Sequence, residues 1–157
     1  MSEQNNSDQR PEPVEGSEEN GQDIEPVKKD VSKIGRIEWL DLTVGDAPRI
    51  RDFYADVVGW KAADVDMGNY ADYCMNLPTG DTIAGVCHAR GENANLPPQW
   101  LVYVRVESVA ASSEACIKKG GKVLDGPRRM GGSDFCVIED PVGAVMALLS
   151  DRKGNGS

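Results

Sequence analysis

Hydrophobic and polar residues alternate along the segment GRIEWLDLTVGD, residues 35 to 46, in the manner of a half-buried β-strand. Apolar residues then recur at helical spacing from Asp46, whose carboxylate can cap a helix, to Val58, just before Gly59. Three short runs bounded by turn residues follow and are predicted to be strands, at residues 60–66, 70–77 and 82–89. This half of the chain therefore predicts the order βαβββ.

The second half repeats the same order after a polar linker, residues 90–98. Ser108 is predicted to cap a second helix that stops at Gly120 and Gly121. GGSD, residues 131–134, lacks the helix and the spacing of a phosphate-binding loop and is interpreted as a turn. The predicted strands are residues 99–106, 122–127, 134–139 and 144–150. The chain therefore predicts two βαβββ modules in tandem.

Composition separates a tail from the domain that holds these modules. Residues 1–33 carry nine acidic and four basic side chains, lack aromatic residues and contain few branched apolar ones. Such a segment cannot bury enough apolar surface to offset its ordering entropy, so we expect a disordered acidic tail, with a docking peptide as the alternative. One domain is predicted over residues 34–152, and a flexible tail over residues 153–157.

Charge and cysteine content exclude several function classes. The net charge of −9 includes −5 from the tail (four basic minus nine acidic side chains), which leaves −4 on the rest of the chain. Without a basic run or a long apolar run, no nucleic-acid partner and no membrane span are expected, and a cytoplasmic location is predicted. The four cysteines form no C-x-x-C pair and are interpreted as reduced thiols rather than a zinc or redox site.

Five short motifs, taken in order, resemble those of the vicinal oxygen chelate superfamily. They are I-x-x-x-x-L-x-V-x-D at residues 37–46, FYADVVGW at 53–60, WLVYVRV at 100–106, GGKV at 120–123 and DPVGA at 140–144. This superfamily includes glyoxalase I, extradiol dioxygenases, fosfomycin-resistance enzymes and bleomycin-resistance proteins. The resemblance implies an α+β fold in which two tandem βαβββ modules form curved mixed sheets around a cleft.

The resemblance also implies where a metal would bind. Metal-binding relatives carry His, Glu or Gln at four inward positions, one on the first and one on the last strand of each module. Matching the two modules by their helices and turns gives these positions here as Trp39, Ala84, Leu101 and Ala147, none of which can ligate a metal. No metal or other cofactor is therefore expected, and a divalent ion would need atypical ligands.

Strand alternation identifies the residues that are expected to face the cleft. In the first strand Trp39 and Asp41 share one side, while Leu40 and Val44 share the side that packs under the first helix. The module alignment places Tyr103 at the position equivalent to Asp41. The predicted lining is Trp39, Asp41, Ala84, His88, Leu101, Tyr103 and Ala147.

Each polar or aromatic member of this lining has two interpretations. Trp39 either stacks on a ligand or fills the core, and Asp41 either meets a ligand or pairs with Arg36, Arg90 or Arg105. His88, the sole histidine, is either a general acid or base or a loop histidine bonded to backbone. Arg90 and Asn93 could hydrogen-bond an anionic or carbonyl ligand. The predicted ligand contacts are Trp39, Asp41, His88, Arg90, Leu101 and Tyr103.

Three functions are compatible with these residues. The first is a metal-free cleft that binds a small organic molecule, as in the bleomycin-resistance branch, whose members work as dimers; a homodimer is therefore expected. The second is a glyoxalase-like lyase or isomerase, or a dioxygenase-type enzyme, which either uses atypical metal ligands or relies on His88 and Asp41 without metal. The third is a scaffold without a ligand, because a fold alone does not imply a function.

Overall fold

The computed structural model describes residues 31–152. Most of the predicted acidic tail and the whole predicted C-terminal tail lie outside the described residues. The last residues assigned to the acidic tail, Val31–Lys33, form a short 3-10 helix. The domain that follows contains the two predicted modules.

Each module consists of a strand, a helix and three further strands, as the hydrophobic pattern predicts. Gly91–Asn93 forms a short 3-10 helix in the linker between them. The elements of the first module are β1 (Ile37–Val44), α1 (Ala47–Val58), β2 (Lys61–Asp66), β3 (Ala71–Asn76) and β4 (Thr82–His88). Those of the second are β5 (Trp100–Arg105), α2 (Val109–Lys118), β6 (Lys122–Met130), β7 (Ser133–Glu139) and β8 (Val145–Asp151).

Both helices begin at their predicted capping residues, and α1 also ends at its predicted glycine, whereas α2 ends at Lys118, just before the predicted glycines. The Asp46 carboxylate accepts a hydrogen bond from the backbone N–H of Arg49, at 3.3 Å, and the Ser108 hydroxyl accepts one from Ala111, also at 3.3 Å. Helix α1 ends at Gly59, whose φ of 85° lies in the left-handed region that glycine adopts without steric cost. Local sequence therefore fixes the limits of α1 and the start of α2.

The eight strands form one mixed sheet, in the order β2-β3-β4-β1-β5-β8-β7-β6. Within each module the first and last strands are parallel, and the modules meet where β1 pairs antiparallel with β5. This is the α+β fold of two tandem βαβββ modules that the motifs predict. The Cα partners at the junction are Leu40 with Val102, Trp39 with Tyr103, and Asp41 with Leu101.

That register confirms the predicted equivalence of Trp39 with Leu101 and of Asp41 with Tyr103. A twofold rotation through the central pair of the junction exchanges the two flanking pairs. The internal repeat of the sequence is therefore an approximate symmetry of the sheet.

The predicted match of Ala84 with Ala147 is wrong by one residue. Asp41 pairs with Gly85 and its equivalent Tyr103 pairs with Ala147, so Gly85 is the true counterpart of Ala147. The prediction aligned the turn glycines, but five residues separate Gly80 from Gly85 and only four separate Gly143 from Ala147. Because a slip of one residue reverses the face of a strand, Ala84 packs under α1 instead of facing the cleft. The same correction applies to His88, which has the parity of Ala84 and pairs with Val44, so its position on β4 is also on the α1 side.

Both helices cover one face of the sheet, which we call the outer face. Ala47 of α1 packs with Ala84 and Val86, and Val109 of α2 packs with Cys136 and Leu148. The opposite, inner face carries Trp39, Asp41, Leu101 and Tyr103, and no helix packs on it among the described residues. The inner face is therefore the place to look for a site.

Strand β6 runs three residues beyond its predicted end at Pro127. Proline usually ends a paired strand because it lacks a backbone N–H, but the register shifts between Asp125 and Arg128, so Pro127 lies in an irregularity of the ladder. A Cβ at Gly126 would lie 2.6 Å from the backbone oxygen of Phe135, so this position needs glycine. The hairpin then turns at Gly131 and Gly132, as predicted for GGSD.

Candidate functional site

The inner face is polar and half-exposed in the first module and buried in the second. Trp39 and Asp41 are partly accessible, whereas Leu101 is 1% exposed and Tyr103 is 2% exposed. Gly85 lies directly beside Asp41, because a Cβ there would come within 2.2 Å of a carboxylate oxygen. The glycine therefore leaves the space that the Asp41 side chain occupies.

Asp41 has no cationic partner within residues 31–152. The thiol of Cys87 lies 3.4 Å from Oδ1 and 3.5 Å from Oδ2 of Asp41. Burial raises the pKa of the Asp41 carboxyl, and the negative charge of Asp72 also raises it, while the hydrogen bond from Cys87 acts in the opposite direction. Asp41 is therefore a carboxyl group that is poised to hold a proton.

Two of the three arginines considered as partners for Asp41 have other contacts: Arg90 lies over the ring of Tyr70, and Arg105 is engaged in ion pairs. Arg105 donates through Nη2 to Glu38, at 2.6 Å, and also forms an ion pair with Asp151. These contacts tie β1, β5 and β8 together at the end of the sheet. The interpretation that Asp41 merely meets an arginine finds no support in the described part of the chain.

Cys87 lies on the inner face but is a poor nucleophile. Burial, followed by the charges of Asp41 and Asp72, raises the pKa of its thiol far above the usual range. The thiolate is therefore scarcely populated near neutral pH. None of the four cysteines forms a disulfide, in agreement with the interpretation of reduced thiols.

His88, the last residue of β4, is held by Asp72. The Asp72 carboxylate accepts a hydrogen bond from the His88 backbone N–H, at 2.9 Å, and Nδ1 of the ring lies 3.1 Å from the same oxygen. The ring also contacts Tyr70 edge-on, at a centroid distance of 5.2 Å. No hydrogen bond or ion pair joins His88 to Asp41, so a catalytic pair of these two residues, which stays a prediction, would act through Asp72 or Cys87.

The second module fills its inner face with its own side chains. Tyr103 stacks on Phe135 with ring centroids 5.8 Å apart, and Leu96 of the linker, 7% exposed, packs in the same cluster with Leu101. Burial and the nearby Asp41 raise the pKa of the Tyr103 hydroxyl, so it stays protonated. Leu101 and Tyr103 therefore form a buried floor, and their contact with a ligand stays a prediction.

A cavity of about 430 Å³ opens at the edge of this floor. Tyr70 precedes β3 near one end of the sheet, and Arg128 lies in β6 at the other, so the sheet must curve strongly for both to line one cavity. The linker supplies the remaining wall. The lining residues are Tyr70, Arg90, Gly91, Glu92, Asn93, Arg128, Arg129, Met130 and Gly131.

Arg128 holds the walls of the cavity together. Its guanidinium donates to Asp125, with the closest contact at 2.8 Å, and to the side-chain oxygen of Asn93, also at 2.8 Å. It lies over the ring of Phe135 at 4.7 Å. Because Phe135 stacks on Tyr103, Arg128 connects the cavity to the inner face.

The cavity joins residues that the sequence singled out to others that it did not. Arg90 was predicted as a ligand contact and Asn93 was considered as a possible hydrogen-bond donor to a ligand, and both line the wall; Tyr70, Arg128 and Arg129 were missed. The run PRRM, residues 127–130, gave a signal, because two consecutive arginines next to a predicted turn are unusual on an acidic domain. Because β6 was predicted to end at Pro127, the sequence pattern did not show that the hairpin of β6 and β7 places these arginines at the cavity.

The described residues do not fit a metal of the kind that the family binds. The four inward positions carry Trp39, Gly85, Leu101 and Ala147 after the correction of register, and none of these side chains is a donor. Between residues 31 and 152, no group of three or more His, Cys, Asp or Glu side chains is arranged to hold a metal ion. We therefore derive no step through a metal.

The family is settled by a sequence model of the "Glyoxalase/Bleomycin resistance protein/Dioxygenase superfamily", which matches residues 36–148. The chain belongs to this superfamily. The matched range begins just before β1 and ends within β8, so it covers nearly all of both modules.

Two curated relatives share this similarity, one from Mycobacterium bovis and one from Mycobacterium tuberculosis. Both are named "Putative glyoxylase CFP32" and are 27% identical to this superfamily member over 133 residues, which is 83% of its chain and 51% of theirs. The chain thus spans about half the length of the curated relatives it matches.

Solved structures give more distant similarities. Methylmalonyl-CoA epimerase from Mycobacterium tuberculosis is 16% identical, with a TM-score of 0.46 over 76% of this chain and 89% of the other. Hypothetical protein BH1468 from Bacillus halodurans is 9% identical, with a TM-score of 0.49 over 78% and 99%. No helix within residues 31–152 has the length and apolar character needed to span a membrane.

Proposed function

We propose that this superfamily member binds a small organic molecule between its inner face and the adjoining cavity, without a metal ion. The observation that carries this proposal is the continuity of aromatic contacts from the cavity to the floor. Arg128 lines the cavity and lies over the ring of Phe135, and Phe135 stacks on Tyr103 of the floor.

The size and lining of the cavity support a small ligand. Sites for small molecules usually enclose about 300–1,000 Å³, with apolar and aromatic walls and a few convergent polar groups. The cavity has about 430 Å³, with Tyr70 and Met130 beside arginine and amide groups. A ligand of this size would reach towards Trp39, the aromatic residue of the inner face that is partly accessible.

The donor chemistry of the site supports binding without a metal. Nitrogen and oxygen donors converge in metal sites of this family, whereas Trp39, Gly85 and Leu101 present an indole, a bare backbone and an alkyl group. The polar groups that remain nearby, above all Asp41, contact each other through hydrogen bonds instead.

Thermal stabilisation by ligands tests this proposal. A set of small aromatic compounds should contain members that raise the melting temperature of the protein, to the same extent with and without a chelator. Trp39→Leu should remove the stabilisation, whereas Trp60→Leu, which changes an indole packed on the α1 side, should retain it. Stabilisation that a chelator abolishes would disprove the metal-free proposal.

A second candidate is a metal-independent lyase or isomerase that moves a proton. The environment of Asp41 favours it, because burial raises the pKa of this carboxyl, and a raised pKa brings a carboxyl closer to the range in which it can both donate and accept a proton. Incubation of a bound ligand in deuterated water tests it: exchange of a ligand C–H that Asp41→Asn stops would support catalysis. Binding without exchange would leave the binding function alone.

The assembly and location proposed with this function follow the bleomycin-resistance branch. We propose a homodimer in the cytoplasm, in which ligand capture serves sequestration. Light scattering after size exclusion should give twice the chain mass of 17.0 kDa. A mass of one chain at the concentrations used for binding would contradict the dimer.

A further inference from the structure

Three arginines line the cavity of a domain whose net charge is negative. Arg90, Arg128 and Arg129 face a single carboxylate in the lining, that of Glu92. Arg128 forms ion pairs with Asp125, at 2.8 Å, and with Glu92, at 3.6 Å. Arg129 is the cross-strand partner of Asp134, so the arginine of this opening without a nearby carboxylate partner among residues 31–152 is Arg90.

Arg90 is held in position but keeps its hydrogen-bond donors. Its guanidinium lies over the ring of Tyr70, at 4.4 Å from the centroid, and forms no ion pair within the described chain. Stacking on an aromatic face occupies the flat side of a guanidinium and leaves its N–H groups pointing outward in the plane. An in-plane fork of donors matches the two oxygens of a carboxylate or of a phosphate.

The neighbours of Arg90 are fixed as well. Tyr70 contacts His88, whose ring and backbone are bound by Asp72, so the stack beneath Arg90 rests on β4. Asn93, in the same linker, accepts a hydrogen bond from Arg128 of the facing wall. An anionic group that entered this cavity would meet a guanidinium whose orientation costs little further entropy.

We propose that the ligand of this site carries an oxyanion, a carboxylate or a phosphate, that binds the Arg90 guanidinium, with its aromatic or apolar part directed at the inner face. Arg129 is assigned no contact, because it lies across the ladder from Asp134. This inference rests on the proposed function, since it names the chemical class of the small molecule. It assigns Arg128 a structural role, because its donors already have partners.

Nuclear magnetic resonance of the arginine Nε–H groups tests the inference directly. Benzoate and phenyl phosphate, with benzamide as the uncharged analogue, would be titrated into the protein, and Arg90→Gln would identify the Arg90 signal. Either anion should shift that signal in a saturable manner, and benzamide should bind about tenfold more weakly, a loss of about 1.4 kcal/mol. The anion that shifts it at the lower concentration distinguishes a carboxylate from a phosphate ligand.

A matched variant separates a specific contact from a general effect of charge. Arg49→Gln removes an exposed arginine from the start of α1, away from the cavity lining, and should leave the affinity for both anions unchanged. Arg90→Gln should weaken the better anion by about tenfold and leave benzamide unaffected. Equal losses in the two variants, or an Arg90 signal that neither anion moves, would overturn the inference.

The same titration distinguishes failure of this inference from failure of the proposed function. If benzamide shifts the Trp39 indole N–H signal as strongly as the anions do, and no probe shifts the Arg90 Nε–H signal, the site binds uncharged molecules and the oxyanion inference is wrong. If no aromatic probe reaches Trp39, the proposed function itself is contradicted.

Discussion

The two modules share one architecture but use their inner faces differently. In the first module the inner face presents Trp39 and Asp41 next to Gly85, and both side chains are partly accessible. In the second, the equivalent positions are Leu101, Tyr103 and Ala147, all of them buried. The two modules therefore share their strand order, but the second packs its inner face with buried side chains, whereas the first leaves Trp39 and Asp41 partly accessible.

Leu96 contributes to this difference. It comes from the linker, is 7% exposed and packs against the inner-face cluster of the second module. Among residues 31–152, no buried linker residue packs beside Asp41. A loop between two repeats can therefore make their inner faces differ in exposure.

The largest expected effect on stability comes from truncation of the Leu96 side chain. Leu96→Ala should lower the free energy of unfolding by about 2–4 kcal/mol, the usual cost of a cavity left by a buried leucine. Leu77→Ala, which truncates a loop leucine that is 36% exposed, should cost less than about 1 kcal/mol. Denaturant unfolding of both variants measures the difference, and equal losses would show that the linker does not fill the second module.

A methyl group added to the first module should make it resemble the second. Gly85→Ala places a Cβ within 2.2 Å of the Asp41 carboxylate, whereas Ala147 already carries this methyl group beside Tyr103. We expect a loss of about 1–3 kcal/mol in unfolding free energy, typical of overpacking. The control Gly45→Ala adds a methyl group with no atom within 4 Å and should be nearly neutral.

A double-variant cycle shows whether Asp41 is the cause of that loss. In an Asp41→Ala background, Gly85→Ala should cost clearly less, because the clashing atoms belong to the carboxylate. An unchanged cost would place the strain on the backbone or on Trp39 instead.

A smaller effect concerns the change of folding stability with pH. Asp41 should make the protein less stable as pH rises, and Glu38 should make it more stable. The pKa of Asp41 is raised, so the folded protein holds its proton more tightly than the unfolded chain and loses stability as pH rises from about 4 through the folded pKa. Asp41→Asn should therefore gain stability relative to the native protein as pH rises. A difference that does not change with pH would contradict the environment described for Asp41.

Glu38 provides the opposite case on the same strand. The hydrogen bond from Arg105 lowers the pKa of Glu38, so its contribution to stability is present above the unfolded pKa and is lost as pH falls through the folded pKa. Glu38→Gln should consequently lose stability relative to the native protein most clearly near neutral pH. Unfolding curves of both variants measured between about pH 3 and pH 7 compare the two signs.

The fold was predictable because its signals are local. The caps at Asp46, Gly59 and Ser108, the turn residues and the alternation of β1 each act over a few neighbouring positions. The face of β1 followed from the same alternation, which placed Trp39 and Asp41 correctly. The internal repeat then supplied the junction register between β1 and β5.

The site was less predictable because it depends on contacts between distant segments. One additional residue before β4 reversed the expected face of Ala84. Strand β6 continues through an irregularity beyond Pro127, so it includes Arg128, which the sequence pattern did not predict. Sequence spacing could not show that Tyr70 and Arg128, at opposite ends of the sheet, share a cavity. Strand curvature brings them together, and no short motif reports it.

The central claim is that a small molecule binds at the inner face of the first module without a metal. Its most direct test is a titration of aromatic carboxylates, phosphates and amides in the presence of a chelator, monitored through the indole N–H of Trp39. We expect a saturable shift of the Trp39 signal, of the same size with and without the chelator. A Trp39 signal that no compound moves, or that moves only when a divalent ion is supplied, would contradict it.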